Sequence, residues 1–323
     1  MKTSLSGIKP TGTPHLGNLL GMVEPAIALQ KSHETFYFIA NLHALTTVRD
    51  APKLLEDTYD VAATFVALGY DPARGALFRQ SDVPEIPELT WMLSCVVSLG
   101  DLSRAHAYKA AKDKGEEGTL NLGTYSYPVL MASDILAYDS DVVPVGKDQV
   151  QHVEMARAIA KRFNHHFGDT LKEPLELVRP EVAVVPGIDG RKMSKSYGNG
   201  IEPLKSSKEV KKQVMAIVTD SKGLEDVKDP SSCNILALYR LFASSAEIEE
   251  IEKKYRAGGY GYGHAKIALL EKIEERYAAA RVRYDALRNN RAELDRVLQA
   301  GAFKARASAG AVLSRARKRV GLS

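Results

Sequence analysis

The chain has 323 residues, 45% of them hydrophobic and 26% charged, with a formal net charge of +4. That length can hold two domains and a well-buried core, and the composition is ordinary for a soluble protein. No run approaches the roughly 18 apolar residues of a membrane span, and the N-terminus enters a strand-like segment directly, so no signal peptide is expected. The two cysteines, Cys95 and Cys233, show no CxxC and no metal-ligand spacing. A reducing cytoplasm and no protein-held metal are therefore expected.

Taken in chain order, the first part alternates strand-like and helix-like segments. Leu5 to Ile8 predicts a strand, followed by a Gly/Pro turn and a helical run from Asn18 to Gln30. Phe36 to Ala40 predicts a second strand, with a helix from Pro52 to Leu68 behind it, and Ala76 to Phe78 opens a third unit. Val142 to Val145 predicts a strand running into a helix from Gln149 to Phe163, where Val150, Val153, Ile159, Ala160 and Phe163 fall at helical spacing. Such alternation predicts an α/β fold, a Rossmann-like doubly wound parallel sheet covered on both faces.

From about residue 200 the pattern is helical, with segments at Ala246 to Tyr255, Lys266 to Arg288 and Arg291 to Leu298. Gly258 to Gly263 reads as the turn between two of them. We expect domains at 1–200 and 201–323, with the last helix able to pack back on the first. Between Gly301 and Ser323 stand Lys304, Arg306, Arg315, Arg317, Lys318 and Arg319, and no acidic residue. Two readings stay open: cations facing nucleic-acid phosphates, or cations complementing the dipole of their own helix.

Two segments carry chemistry. Lys192-Met193-Ser194-Lys195-Ser196 places two ammonium groups three residues apart with hydroxyls between them, flanked by Gly187, Gly190, Gly198 and Gly200. Such a loop suits a triphosphate. Far upstream, Pro10-Thr11-Gly12-Thr13-Pro14-His15-Leu16-Gly17-Asn18 leaves the first strand and opens the first helix. Its glycines admit a ligand close to the backbone, and a helix N-terminus offers unpaired N–H groups and partial positive charge. The site would lie at the carboxyl end of a strand, where doubly wound sheets bind ligands.

The pair HLGN and KMSKS resembles the two signatures of class I aminoacyl-tRNA synthetases, with Asn18 where the general HxGH form has its second histidine. Ser6-Gly7-Ile8-Lys9-Pro10, Tyr127 to Leu136, Val143 to His152, Val218 to Ser221 and Gly258 to Gly261 resemble the bacterial tryptophanyl branch along essentially the whole chain. The resemblance implies activation of L-tryptophan by ATP, with Mg²⁺ carried on the phosphates, and transfer to tRNA(Trp) by a homodimer. It implies catalytic roles for Lys192, Ser194, Lys195, His15 and Asn18. It further places ATP against Lys9, Pro10, Thr11, Gly17, Asn18, Gly146, Lys147, Asp148, Val184 and Lys192 to Ser196, including Met193. The helical second part becomes the anticodon-binding region, and Trp91 to Val97 becomes either the dimer interface or an ordinary buried helix.

The implied tryptophan pocket comprises Leu5, Gly7, His43, Tyr127, Met131, Asp134, Ile135, Val143 and Gln149. Local sequence offers Asp134 as a cap for a helix beginning at Ile135; the family context makes it the acceptor for the indole N–H. Met131 fits either the pocket or plain core filling. Lys9 stands where many relatives carry glutamine, Leu5 where phenylalanine is common, and Ser133 is a small change beside Asp134; none is expected to abolish activation. The alternatives are a tyrosyl-type synthetase, a nucleotidylyltransferase of the same superfamily, and a paralogue with an auxiliary role, catalytic or not.

Overall fold

The computed structural model describes residues 1–104, 108, 113, 118, 120–146, 150–178 and 185–322. Five parallel strands, β1 (Lys2–Ile8), β2 (His33–Ile39), β3 (Gly75–Arg79), β4 (Val142–Val145) and β5 (Leu175–Val178), form one sheet in the order β3-β2-β1-β4-β5. Each strand proposed from sequence is present. The fifth escaped sequence reading because Leu175–Val178 is an edge strand of only four residues, exposed at both ends.

Register explains the two faces. Leu5 pairs with Phe36 and Gly7 with Phe38. Side chains alternate across a strand, so Phe36 and Phe38 enter one core with Phe78, Val129, Ile135 and Val143. Tyr37 and Ile39 enter the opposite core with Leu16, Leu19, Phe65 and Leu77. Both faces are buried, as parallel sheets require. Chain order reverses between β1 and β4, whose only paired register is Ser4 with Val142. Beyond that pair the two strands part, and a crevice opens outside their carboxyl ends.

The helix after β1 starts at Leu16, earlier than the sequence pattern suggests, and runs through Leu16–Asn18, a π-helical stretch Leu19–Val23, and Glu24–Leu29. Pro25 has no N–H for the Gly21 carbonyl, which accounts for the wider turn just before it. Later helices grip the first half of the chain. The Tyr262–Asn289 helix lays Tyr284, whose hydroxyl donates to Asp60 Oδ1 at 2.7 Å, and Arg288, whose Nε is 2.8 Å from Asp60 Oδ1, onto the Ala51–Ala67 helix. The Arg291–Val320 helix covers β3: a Cβ on Gly301 would sit 2.0 Å from the Leu77 carbonyl oxygen. Ala302, Ala305, Ala309, Val312 and Ala316 continue that contact into the core containing Phe78.

Candidate active site

His15 is buried at the start of the first helix. The Asn18 N–H donates to His15 Nδ1 at 3.2 Å, and the His15 N–H donates to Asn18 Oδ1 at 3.3 Å. This reciprocal cap uses two groups that helix ends leave unpaired. It leaves Nδ1 without a proton, so the neutral ring carries its hydrogen on Nε2. Burial, helped by the Lys195 charge, pulls the His15 pKa below the ordinary histidine value. His15 therefore offers a neutral Nε2–H donor at pH 7. Around it, Cβ atoms at Gly17 and Gly200 would each lie 3.1 Å from His15 atoms. The backbone folds tightly about the ring.

The segment from Val185 to Ile201 packs directly against this turn. The Leu16 N–H donates to the Ile201 carbonyl at 2.8 Å, and buried Met193 lies 3.6 Å from where a Gly17 Cβ would be. Pro186 bridges Lys192, and Met193 N–H donates to the Val185 carbonyl at 2.9 Å. Asn199, fully buried, is the organiser. Its Oδ1 accepts from the Ser194 N–H at 2.8 Å, and its Nδ2 donates to Asp189 Oδ1 at 2.7 Å and to the Lys192 carbonyl at 3.2 Å. Gly190 and Gly198 turn the chain with φ of 82° and 61°, the left-handed region that favours glycine.

The Lys195 ammonium donates to the Thr11 carbonyl, which joins the two segments across 184 positions of sequence. It lies 3.5 Å from the missing Gly12 Cβ, and Asp57 Oδ1 lies 3.3 Å from the same point. Partial desolvation of the ammonium end holds its pKa below the usual lysine value, with Glu202 and Asp57 opposing that shift. Ser194 and Ser196 hydroxyls stand 2.9 Å apart, and Lys192 is exposed. Lys9 follows β1, beside buried Pro10, and donates to Thr47 Oγ1 at 3.1 Å, its own pKa lowered by burial. A cleft of about 460 Å³ opens between this loop and the Ser207–Met215 helix, lined by His15 and Lys195 together with Glu202, Glu209 and Lys212.

A second cluster lies on the other side of β1. Asp134 is buried near the end of the Leu122–Leu136 helix, which runs through it from its N-cap at Asn121. It does not cap a helix beginning at Ile135. His43 Nε2 is 3.0 Å from Asp134 Oδ2, and Gln80 Nε2 donates to Oδ1 at 2.9 Å and Oδ2 at 2.8 Å. Burial raises the Asp134 pKa, while His43 and Gln80 counter it. The Tyr127 ring meets His43 edge-on at 6.3 Å and His152 at 6.0 Å. Ile135 and Val143 are buried in the same core as Leu5, and Met131 packs half-buried against it. A Cβ on Gly7 would lie 2.3 Å from Phe38 Cζ, so any side chain there would displace that ring.

The structure thus assembles His15, Gly17, Asn18, Thr11, Met193, Ser194, Lys195 and Ser196 into one group, and His43, Tyr127 and Asp134 into another, with Leu5, Ile135, Met131 and Val143 sharing one core. Gly146 is exposed after β4. Lys147, Asp148, Gln149 and Val184 lie outside the described residues. Sequence reasoning missed Gln80, Asn199 and Asp57, each a plain polar residue whose partners come from other turns or elements. Among the described residues no group of three His, Cys, Asp or Glu side chains could hold a metal ion.

The family of class I tRNA synthetases (W and Y) matches residues 2–278. The tryptophan–tRNA ligase of Rhodopirellula baltica is 49% identical over 318 residues, covering 98% of this chain and 99% of that one. The tryptophan–tRNA ligase of Fusobacterium nucleatum is 47% identical and covers 100% of this chain and 98% of its own. The crystal structure of Campylobacter jejuni tryptophanyl-tRNA synthetase complexed with ADP and tryptophan superposes with a TM-score of 0.93 at 43% identity, over 99% of this chain and 100% of that one. With a parallel 3-2-1-4-5 sheet, two interlocked signature segments and matches along its full length, this chain belongs to the tryptophan and tyrosine branch of the class I tRNA synthetases.

Proposed function

We infer that the chain is a tryptophan–tRNA ligase, which activates L-tryptophan with ATP and then charges tRNA(Trp). The full-length tryptophan-specific relatives support this, and so does the likeness to a synthetase that binds ADP and tryptophan. The observation that carries the site assignment is the Lys195 ammonium seated on the Thr11 carbonyl beside His15. It brings both phosphate-facing segments to the crevice at the strand ends.

In the first step a tryptophan carboxylate oxygen attacks the α-phosphorus of ATP. A new O–P bond forms, the bond to the β-phosphate oxygen breaks, and pyrophosphate leaves with its electron pair. The attacking group is already an anion, so no general base is needed. Catalysis consists of alignment and of stabilising charge on the leaving group. Lys192, Lys195 and Ser194 face that charge from the loop, with Met193 and Ser196 fixing its backbone. His15 Nε2–H, Asn18 and the open backbone at Gly17 face it from the helix. Lys9, Pro10 and Thr11 line the approach to the α-phosphate, with Gly146 toward the nucleoside; the resemblance alone adds Lys147, Asp148 and Val184. Magnesium enters on the triphosphate.

The second cluster supplies the amino-acid pocket: Leu5, Gly7, His43, Tyr127, Met131, Ile135 and Val143 as walls, with Asp134 accepting the indole N–H; the resemblance alone adds Gln149. Residues 1–200 form the catalytic domain and 201–323 the helical domain that reads tRNA. Trp91, 73% exposed on a helix whose Met92 and Leu93 are buried, suits a homodimer interface. The location is cytoplasmic; no helix among the described residues is long and apolar enough to cross a membrane.

Tryptophan-dependent exchange of pyrophosphate into ATP, followed by charging of tRNA(Trp), tests the assignment. Exchange with tyrosine in place of tryptophan would favour the tyrosyl alternative. Asp134→Ala should reduce the preference for tryptophan over phenylalanine by roughly tenfold or more, since an indole N–H without its acceptor forfeits about 1–3 kcal/mol. Unchanged selectivity would remove Asp134 from the pocket.

A further inference from the structure

We propose that Gln80 is a specificity-determining positioning residue, which holds Asp134 so that it offers a single acceptor site to a single N–H donor. The inference rests on the tryptophan reading above and deepens it.

Gln80 lies just beyond β3 and is almost completely buried. Its Oε1 accepts from two backbone N–H groups, Leu42 at 3.2 Å and His43 at 3.3 Å. Two donors facing one end of the amide settle its orientation: the oxygen must face them, so the NH₂ must face Asp134. That NH₂ reaches both carboxylate oxygens, at 2.9 and 2.8 Å. The His43 ring reaches Oδ2 at 3.0 Å. A carboxylate has about four acceptor sites. Among the described residues three are taken, two on Oδ2 and one on Oδ1. One site on Oδ1 remains, and indole carries one N–H.

The same contacts make the burial of this carboxylate tolerable. A buried anion is stable only when it is hydrogen-bonded, and Asp134 receives its donors from two different elements. Gln80 also ties those elements together, since its oxygen fixes the backbone that carries His43. The titratable groups facing Asp134 are His43, from the Asn41–Ala44 helix, and Tyr138, just past the end of its own helix; Tyr127 and His152 stand beyond His43. The amide presents its acceptor to the Leu42 and His43 backbone and its donors to Asp134.

Gln80→Glu is the discriminating variant. It keeps the shape and the acceptor toward Leu42 and His43, but turns an acceptor toward Asp134. A proton shared by the two carboxyls restores the donor at low pH and is lost as pH rises. The tryptophan KM in pyrophosphate exchange, taken relative to wild type at each pH, should therefore climb by at least about fivefold between pH 6 and 8.5. The KM for ATP should stay within about twofold. Gln80→Met keeps the length and has no donor, and should raise the tryptophan KM by at least about fivefold throughout, with no rescue at low pH. A merely structural role would not produce the opposed behaviour of the two variants. If either folded variant keeps the wild-type tryptophan KM across this range, the proposal is overturned. If wild-type protein itself shows no tryptophan-dependent exchange, the functional reading fails instead.

Discussion

At the residue scale, the two clusters divide the work between charge and shape. Lys195 bonds to a backbone carbonyl and faces Asp57 across Gly12, so its charge is partly engaged inside the protein. Under the proposed mechanism the triphosphate is a stronger partner, and charge accumulating on the leaving pyrophosphate strengthens that contact in the transition state. Lys195→Ala should accordingly lower the turnover of pyrophosphate exchange by roughly 10²–10³-fold. Its tryptophan KM should stay within about twofold, because Asp134 and its donors belong to a separate cluster. Steady-state exchange at saturating ATP separates the two parameters; a loss confined to tryptophan KM would contradict the assignment. His15 was legible in the sequence, since a cap closes over three residues and needs only local spacing. Gln80 was not: its partner Asp134 lies 54 positions away, and nothing in the string Arg79-Gln80-Ser81 distinguishes a structural glutamine from a solvated one.

At the scale of elements, helix placement decides which side chains meet. The Ala51–Ala67 helix turns Glu56 and Asp60 toward Arg288, Arg291 and Tyr284, and Asp57 toward Lys53 and the Gly12 turn. One helix thus touches both the Gly12 turn and the later helices. The sequence pattern marks helix from Arg291 to Leu298; the helix runs on to Val320, its small residues letting it lie against the sheet. Gly301 is the closest approach. Alanine normally favours a helix over glycine by about 1 kcal/mol. Here its Cβ would meet the Leu77 backbone, which cannot rotate away, at an overpacking cost of about 1–3 kcal/mol. Gly301→Ala should therefore lose stability, by up to about 2 kcal/mol in urea unfolding. A stabilised variant would mean that the helix does not bear on β3.

At the scale of the whole molecule, the proposed homodimer explains why Trp91 is carried on the surface while its helix neighbours are buried. Trp91→Glu puts a charge on that patch and should shift the protein from dimer to monomer in sedimentation velocity; a variant that stays dimeric would place the interface elsewhere. The sequence by itself determined the parallel sheet, since apolar runs separated by helical spacing leave few other arrangements. It also marked the Gly12 turn and the Gly-flanked 185–201 loop as turns, because glycine turns are local events. Only the tertiary structure decided that Asn199 would brace the loop and that Gln80 would hold Asp134. Those contacts join polar groups and backbone from separate turns and elements. Hydrogen bonding of this kind follows no hydrophobic period, and it exists only after burial has removed water as the competing partner.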